Sequence, residues 1–249
     1  MKRDILDRLN ADRENKRLVA LVSNTGSGEQ TLVYADAPGC GEDLPEELLS
    51  QARTALADDR STIVENDGKQ YFIQIHSPPL RLFVVGAVHI TQPLVQFAHL
   101  AGYSVTVIDP RRAFADDDRF PGVELSNEWP DDVLGRSTLD RRTAIVTLTH
   151  DPKIDDPALE TVLASDVFYI GSLGSNRTHG KRLARLHENG FSEQQTGRIH
   201  GPIGLNIGAK SPAEIAISIM AEITQARRMA RPHGGTGSNG GTGCKGGSA

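Results

Sequence analysis

From residue 80 onward the sequence alternates apolar runs with amphipathic helical segments, and this alternation restricts the possible fold more than any other feature. The predicted strands cover residues 80–86, 103–109, 143–149 and 166–171. The predicted helices cover roughly residues 91–101, 156–164, 175–188 and 212–230. Near-continuous apolar strands separated by helices are typical of a parallel sheet with helices on both faces. We therefore predict an α/β fold with a Rossmann-like, doubly wound parallel sheet.

The pair Pro78-Pro79 separates this pattern from a different one in the preceding residues. There, two predicted strand pairs lie on either side of a helix that begins near Pro45, which indicates a compact α+β unit. Proline fits neither the interior of a helix nor a central strand, so we place a domain boundary at this pair. The predicted parts are a smaller N-terminal α+β domain at 1–77, a Rossmann-like C-terminal domain at 80–231 and a disordered Gly-rich tail at 232–249.

The charge balance argues against general nucleic-acid binding. The 249 residues carry a formal net charge of −5, and the sequence pI is about 5.9, whereas nucleic-acid binders usually present a basic surface. No apolar window of about 18 residues occurs, and the charged first residues are unlike a signal peptide. We therefore expect a cytoplasmic protein that binds neither nucleic acid nor a membrane.

The two cysteines, Cys40 and Cys244, lie too far apart in sequence for a CxxC metal or redox motif. Cys40 stands between glycines shortly before a predicted helix, where a thiol can be exposed and reactive. It is a candidate nucleophile, persulfide carrier or ligand, although a lone cysteine is more often inert. Cys244 lies in the Gly-rich tail and is not positioned by any predicted element.

The segment FVVGAVHIT at 83–91 predicts a strand, a tight turn at Gly86 and the start of a helix. Dinucleotide-binding loops carry the glycines of a GxGxxG pattern, but Val88 and Thr91 occupy the second and third glycine positions here. Asp109 ends the next predicted strand, where NAD-binding folds place a ribose-binding acid. Gly86 and Asp109 are therefore candidate cofactor-binding residues; the alternative is that Asp109-Pro110 simply ends a strand.

His150 and Asp151 follow another predicted strand, VTLTHD, at the edge where doubly wound sheets bind ligands. A histidine beside an acid can position a ligand, transfer a proton or bind a metal together with Asp155. The metal hypothesis is the weakest of these because no third ligand is close in sequence, so any metal stays unknown. Asp151 before Pro152 is also typical of a turn or a helix N-cap.

The segment YIGSLGSNRTHGKR predicts an anion site at the start of a helix. Its candidate residues are Gly171, Ser172, Gly174, Ser175 and Arg177. Small residues expose backbone N–H donors, the two serines add hydroxyls and the arginine adds positive charge. The alternative is that Ser175 only caps the helix and the basic residues lie on its solvated face.

Five segments together resemble the XdhC/CoxI family of molybdenum-hydroxylase accessory proteins. They are FVVGAVHITQPLVQFAHLAGYSVTVIDPR, the pair FP at 120–121, VTLTHD, YIGSLGSNR and GPIGLNIGAKSPAEIAISIMAEI. The likeness covers residues 80–228. It implies a Rossmann-like C-terminal domain and a chaperone that binds molybdenum cofactor, as molybdopterin or its dinucleotide form. It also implies that the protein supports sulfuration of this cofactor and its insertion into a molybdenum hydroxylase such as xanthine dehydrogenase.

The resemblance further implies that the candidate residues named above hold this cofactor, with Cys40 as a sulfur or molybdenum contact. The implied partners are a molybdenum hydroxylase client and a cysteine desulfurase, and we also expect a homo-oligomer. Such a protein is a non-catalytic maturation factor, so no catalytic residue is assigned. Two alternatives stay open. One is an NAD(P)-dependent oxidoreductase with His150 as its acid or base, and the other is a regulatory protein whose crevice has lost its ligand.

Overall fold

The structure is a computed structural model that describes residues 2–35, 37, 39–41, 43–111 and 119–229. The predicted tail at 232–249 and Cys244 lie outside these residues. The polypeptide divides between Pro78 and Pro79 into two compact units. Among the described helices, none combines the length and the apolar character that crossing a bilayer requires.

The first unit contains, within its described residues, a five-stranded antiparallel sheet. Its elements are α1 (Arg3–Glu14), β1 (Val19–Asn24), β2 (Gln30–Val33), β3 (Cys40–Gly41), α2 (Glu46–Ala57), β4 (Thr62–Asn66) and β5 (Lys69–His76). The strand order is β3-β2-β1-β5-β4. Successive residues of β1 point to opposite faces, so Ala20 and Val22 are buried with α2, whereas Val19 and Leu21 are buried with α1.

The second unit is built on a six-stranded sheet in which every neighbouring pair of strands is parallel. Its elements are β6 (Leu80–Val85), α3 (Thr91–Leu100), β7 (Tyr103–Ile108), β8 (Glu124–Ser126), α4 (Pro130–Arg136), β9 (Thr143–Thr147), α5 (Pro152–Leu163), β10 (Tyr169–Ser172), α6 (Asn176–Glu188), α7 (Glu193–Thr196), β11 (Ile199–His200) and α8 (Pro212–Met229). The strand order β11-β10-β9-β6-β7-β8 is the Rossmann order, with its topological switch point between β6 and β9. The predicted fold class is confirmed.

The central strand β6 shows how the sequence specifies two covered faces. Leu82 and Val84 are buried in a cluster that includes apolar residues of α3 and α8. Phe83 and Val85, on the other face, are buried with residues of α4, α5 and α6. A near-continuous apolar strand therefore contributes to two cores at once, as the sequence pattern predicted.

The structure shifts several predicted boundaries and adds short elements. Strand β9 ends at Thr147 rather than at residue 149, and β10 begins at Tyr169 rather than at residue 166. Helix α5 begins at Pro152 rather than at residue 156, because the Asp151 side chain accepts a hydrogen bond from the N–H of Lys153 at 3.0 Å and Pro152 takes the first helical position. Elements β8 and α4 lie in a stretch where the sequence predicted none, and α7 and β11 were also missed. All of them are too short for hydrophobic periodicity to be recognised.

Candidate functional site

The candidate site lies at the carboxyl ends of the central strands of the second unit. Gly86 directly follows β6, Asp109 follows β7, His150 comes shortly after β9, and Ser172 ends β10. Because these strands are parallel and adjacent in the order β10-β9-β6-β7, their carboxyl ends meet at one edge of the sheet. The predicted residues of this unit are therefore brought together, whereas Cys40 belongs to the first unit.

Gly86 lies where the two strands of the switch point pack against each other. Its φ is +113°, and a Cβ atom at this position would lie 2.8 Å from Cγ2 and 3.2 Å from N of Thr149, which follows β9. The N–H of Gly86 donates to the carbonyl of Ile108 at 2.8 Å. Glycine is thus required here by close packing between strand ends and by a left-handed backbone.

The turn between Gly86 and α3 keeps backbone donors available. In the described part of the chain, the N–H groups of Val88, His89 and Ile90 meet no acceptor. His89 is exposed, and Val88 is half-buried against the core. The start of α3 can therefore offer N–H groups to an anion, although Val88 occupies the position where a dinucleotide loop has its second glycine.

Asp109 is completely buried, and both of its carboxylate oxygens accept hydrogen bonds from the protein. Oδ2 accepts from the backbone N–H of Ala87 and from Nη2 of Arg111, each at 2.8 Å. Oδ1 accepts from Nε of Arg111 at 2.9 Å and from the backbone N–H of Arg111 at 3.0 Å. Burial opposes ionisation, but these hydrogen bonds outweigh it and lower the pKa of Asp109. Asp109 therefore ties the end of β7 to the turn that follows β6.

Asp155 holds the turn after β9 in a similar way. This buried carboxylate accepts from the Thr149 hydroxyl at 2.7 Å and from the N–H groups of Thr149 and His150 at 3.3 and 3.1 Å. Burial raises the pKa of Asp155, and the hydrogen bonds from Thr149 partly oppose that rise. His150 has a φ of +62°, a conformation that costs a non-glycine residue energy and that these hydrogen bonds help to maintain. Its exposed side chain faces the candidate site.

Gly171 and Ser172 lie in the interior of the protein. A Cβ atom at Gly171 would lie 2.6 Å from both Ile203 Cδ1 and the Tyr169 hydroxyl, so the glycine permits this packing. The Ser172 side chain is fully buried, and its Oγ lies 2.5 Å from Oγ1 of Thr147. Neither residue presents a free donor to solvent in this arrangement.

The start of α6 presents the remaining predicted residues at the surface. Ser175 caps the helix by accepting from the N–H of Thr178 at 3.2 Å. The N–H groups of Asn176 and Arg177 meet no acceptor in the described part of the chain. Gly174 has a φ of +149°, and a Cβ atom there would lie 3.1 Å from Thr178. The capping role and the anion role proposed for this segment are thus compatible.

A cavity of about 350 Å³ lies between the β9–α5 turn and α6; we call it the α5–α6 cavity. The residues that line it are His150, Pro152, Asp155, Asp156, Arg177, Thr178, Lys181, Arg182 and Arg185. The sequence interpretation missed the importance of Arg182, which is only 2% exposed. Arg182 stands four residues before the buried Leu186, so both lie on the inner face of α6. This spacing in the sequence could have identified Arg182 as a residue that faces the interior.

Cys40 lies on β3 at an edge of the first unit's sheet. It is half-buried and has no disulfide partner among the described residues; it pairs in register with Leu32 and packs against the apolar cluster beneath α1. In the described residues no three His, Cys, Asp or Glu side chains are grouped so that they could hold a metal ion.

Comparison with known proteins identifies the family. Residues 82–223, more than half of the chain, match the XdhC Rossmann domain. The chain belongs to the XdhC family. This match confirms the resemblance inferred from the motifs.

Three curated relatives align with about three-fifths of this chain and with part of their own length. The uncharacterized protein YqeB of Escherichia coli is 33% identical over 64% of this chain and 29% of its own. A Bacillus subtilis protein named as a probable component of xanthine dehydrogenase is 35% identical over 63% of this chain and 46% of its own. The molybdenum cofactor insertion chaperone PaoD of Escherichia coli is 30% identical over 60% of this chain and 41% of its own. The aligned region thus spans less than half of each relative.

A solved structure extends the likeness across both units. The crystal structure of a xanthine dehydrogenase from Bacillus halodurans has 27% sequence identity and a TM-score of 0.72, and the match covers 92% of this chain and 65% of that one. The N-terminal α+β unit therefore accompanies the Rossmann domain in that protein as well.

Proposed function

We propose that this XdhC-family protein binds molybdenum cofactor and serves as a chaperone for its insertion into a molybdenum hydroxylase. The observation that carries the proposal is family membership together with similarity to a relative named as a molybdenum cofactor insertion chaperone. A second relative, named as a probable component of xanthine dehydrogenase, supports a hydroxylase of that class as the client.

The chemistry of the site fits a pterin cofactor that carries phosphate. The N–H groups at the starts of α3 and α6, which meet no acceptor among the described residues, suit an anionic group, and so does the cationic α5–α6 cavity. In this proposal Arg177 and the first turn of α6 hold the phosphate end, and His150 contacts the cofactor from the β9 side. Asp109 and Asp155 position the two turns and do not contact the cofactor. The bound group supplies the molybdenum and its sulfur ligands; the protein supplies binding and protection from water.

Support of cofactor sulfuration is a finer part of the proposal and depends on Cys40. Cys40 is half-buried, so its thiol is held in place by neighbouring residues and keeps some access to solvent. We propose that it contacts the sulfur or molybdenum of the cofactor while a cysteine desulfurase acts as partner. Cys40→Ser keeps the size of the side chain and removes the thiol. The variant should still bind cofactor but deliver less of the sulfurated form.

An NAD(P)-dependent oxidoreductase is the second candidate, because the strand order is that of dinucleotide-binding domains. Two features weigh against it. Val88 replaces the glycine that lets a pyrophosphate approach the backbone. In addition, the Asp109 carboxylate, at the position of the ribose-binding acid, has its hydrogen bonds satisfied by Ala87 and Arg111.

A co-expression experiment tests the proposed function. A molybdenum hydroxylase of the xanthine dehydrogenase class is purified from cells that have this protein and from cells that lack it. Its molybdenum content, its cyanide-releasable sulfur and its activity are then measured. The proposal predicts intact hydroxylase polypeptide with little active cofactor in the deletion strain. Equal cofactor content and activity in the two preparations would contradict it.

A further inference from the structure

The α5–α6 cavity carries an excess of positive charge. The described residues that line it include four cationic side chains and two carboxylates, namely Arg177, Lys181, Arg182, Arg185, Asp155 and Asp156. A cavity of about 350 Å³ falls near the lower end of the range of about 300–1,000 Å³ typical of small-molecule sites. The cavity is therefore large enough for part of a ligand, and its charge suits an anion.

Both carboxylates in the cavity are already engaged. Arg185 holds Asp156, with 2.5 Å between Nε and Oδ2 and 3.0 Å between Nη2 and Oδ1. Asp155 accepts the donors of the β9–α5 turn. In the described part of the chain, Arg177 and Lys181 consequently have no ion-pair partner, and their charges remain available.

Arg182 is a buried guanidinium with unused donors. Its side chain reaches back along α6, and Nη2 donates to the carbonyl of Leu173 at 2.8 Å. Its Nε and Nη1 atoms are buried and have no hydrogen-bond partner among the described residues. Burial lowers the pKa of Arg182, while the charges of Asp155 and Asp156 counteract that effect. A buried donor without an acceptor raises the free energy of the folded protein. A ligand that supplies acceptors here would remove this penalty and so gain binding free energy.

The start of α6 adds backbone donors beside this guanidinium. The N–H groups of Asn176 and Arg177 have no acceptor in the described residues, and α6 is long enough to carry a helix dipole. A Cβ atom at Gly174 would lie 3.8 Å from Nη2 of Arg182, which shows how near the guanidinium is to the helix start.

We propose that the α5–α6 cavity binds a phosphate or pyrophosphate group, to which Arg182, Arg177 and the first N–H groups of α6 donate hydrogen bonds. Phosphate oxygens match the fork of an arginine side chain and accept several bonds at once. That the group belongs to molybdenum cofactor rests on the proposed function. The anion site itself rests on the charges and unpaired donors described above.

Titration of the full-length protein with sodium pyrophosphate, by calorimetry at low ionic strength, tests the site. The variants are Arg177→Gln, which changes an exposed residue, and Arg182→Gln, which changes the buried one. Arg53→Gln is the matched control, because Arg53 is an exposed helical arginine of the first unit. Thermal unfolding of each variant shows whether it is folded. If Arg182→Gln does not fold, Arg177→Gln still tests the site.

We expect saturable binding by the wild type, weakened about tenfold or more by each cavity variant and changed less than about twofold by the control. No saturable binding, or equal weakening by Arg53→Gln, would overturn the site. Binding of pyrophosphate without retention of molybdenum cofactor would leave the site in place and remove the proposed function. If the protein retains molybdenum cofactor but both cavity variants bind pyrophosphate with wild-type affinity, the anion site is wrong and the proposed function stands.

Discussion

The carboxylate of Asp109 accepts a hydrogen bond from the backbone N–H of Ala87, with 2.8 Å between Oδ2 and N. Asp109 follows β7 and Ala87 follows β6, so the bond joins the carboxyl ends of two neighbouring strands. The Arg111 guanidinium binds the same carboxylate and helps to offset the cost of burying its charge. The Gly86 turn is thereby fixed before any ligand arrives.

We predict that Asp109→Asn destabilises the protein by about 2 kcal/mol, because the amide nitrogen of asparagine would face N–H donors that a carboxylate oxygen now accepts. Asparagine keeps one oxygen for the N–H of Ala87, so the fold itself should survive. Urea unfolding followed by circular dichroism measures the change. Asp166→Asn, at an exposed position, is the control and should alter the free energy of unfolding by less than about 0.5 kcal/mol. Equal effects of the two substitutions would refute the positioning role.

The same ion pair predicts a pH dependence. The pKa of Asp109 is lowered in the folded state from its ordinary value of 3.8, so its contribution to stability is complete above that value and is lost as pH falls through the folded pKa. The difference in unfolding free energy between wild type and Asp109→Asn should therefore be constant near neutral pH and shrink in strong acid. A series of urea titrations from neutral to acidic pH measures it. A difference that grows on acidification would contradict this assignment.

The sequence was sufficient to predict the Rossmann-like sheet because near-continuous apolar strands such as β6, alternating with helices, are typical of a parallel sheet that is covered on both faces. It also placed Asp109 correctly at a strand end. What it could not reveal is that Ala87 and Arg111 would use both oxygens of this carboxylate, since that depends on tertiary contacts between strand ends. An aspartate can stand at this position whether it binds a ribose or only joins two strand ends by hydrogen bonds, so the residue type does not distinguish the two roles.

Gly86→Ala should destabilise the protein by about 2 kcal/mol, because the new methyl group meets Thr149 and the backbone has a left-handed φ. Gly135→Ala is the contrasting control, since Gly135 lies in α4 with open space around its Cβ position. That substitution should leave stability unchanged or raise it by up to about 1 kcal/mol. Thermal and urea unfolding of both variants provide the comparison. A harmless Gly86→Ala would show that the strand ends at the switch point are not closely packed.

His150→Asn should separate binding from stability. Asparagine tolerates the left-handed backbone at this position, so the free energy of unfolding should change by less than about 1 kcal/mol. Loss of the imidazole should nevertheless weaken retention of molybdenum cofactor, measured as molybdenum per protein after gel filtration. His99→Asn, on the last turn of α3, is a histidine control. Full retention by the His150 variant would remove His150 from the binding site.

Arg182 illustrates the other limit of sequence interpretation. The basic residues of α6 were open to interpretation as a solvated face, and Arg177 and Lys181 are indeed exposed. Arg182 shares the inner face of the helix with Leu186 instead. Helical spacing could have identified this face. That Nε and Nη1 of Arg182 have no hydrogen-bond partner among the described residues depends on the packing of α6, which the sequence does not show.

The most direct test of the proposed function is a binding titration of the purified protein under anaerobic conditions with molybdenum cofactor and, separately, with NADH and NADPH. We predict that molybdenum cofactor binds with a Kd at least about tenfold below that of either nicotinamide cofactor. Tight binding of NADH or NADPH together with no binding of molybdenum cofactor would contradict it.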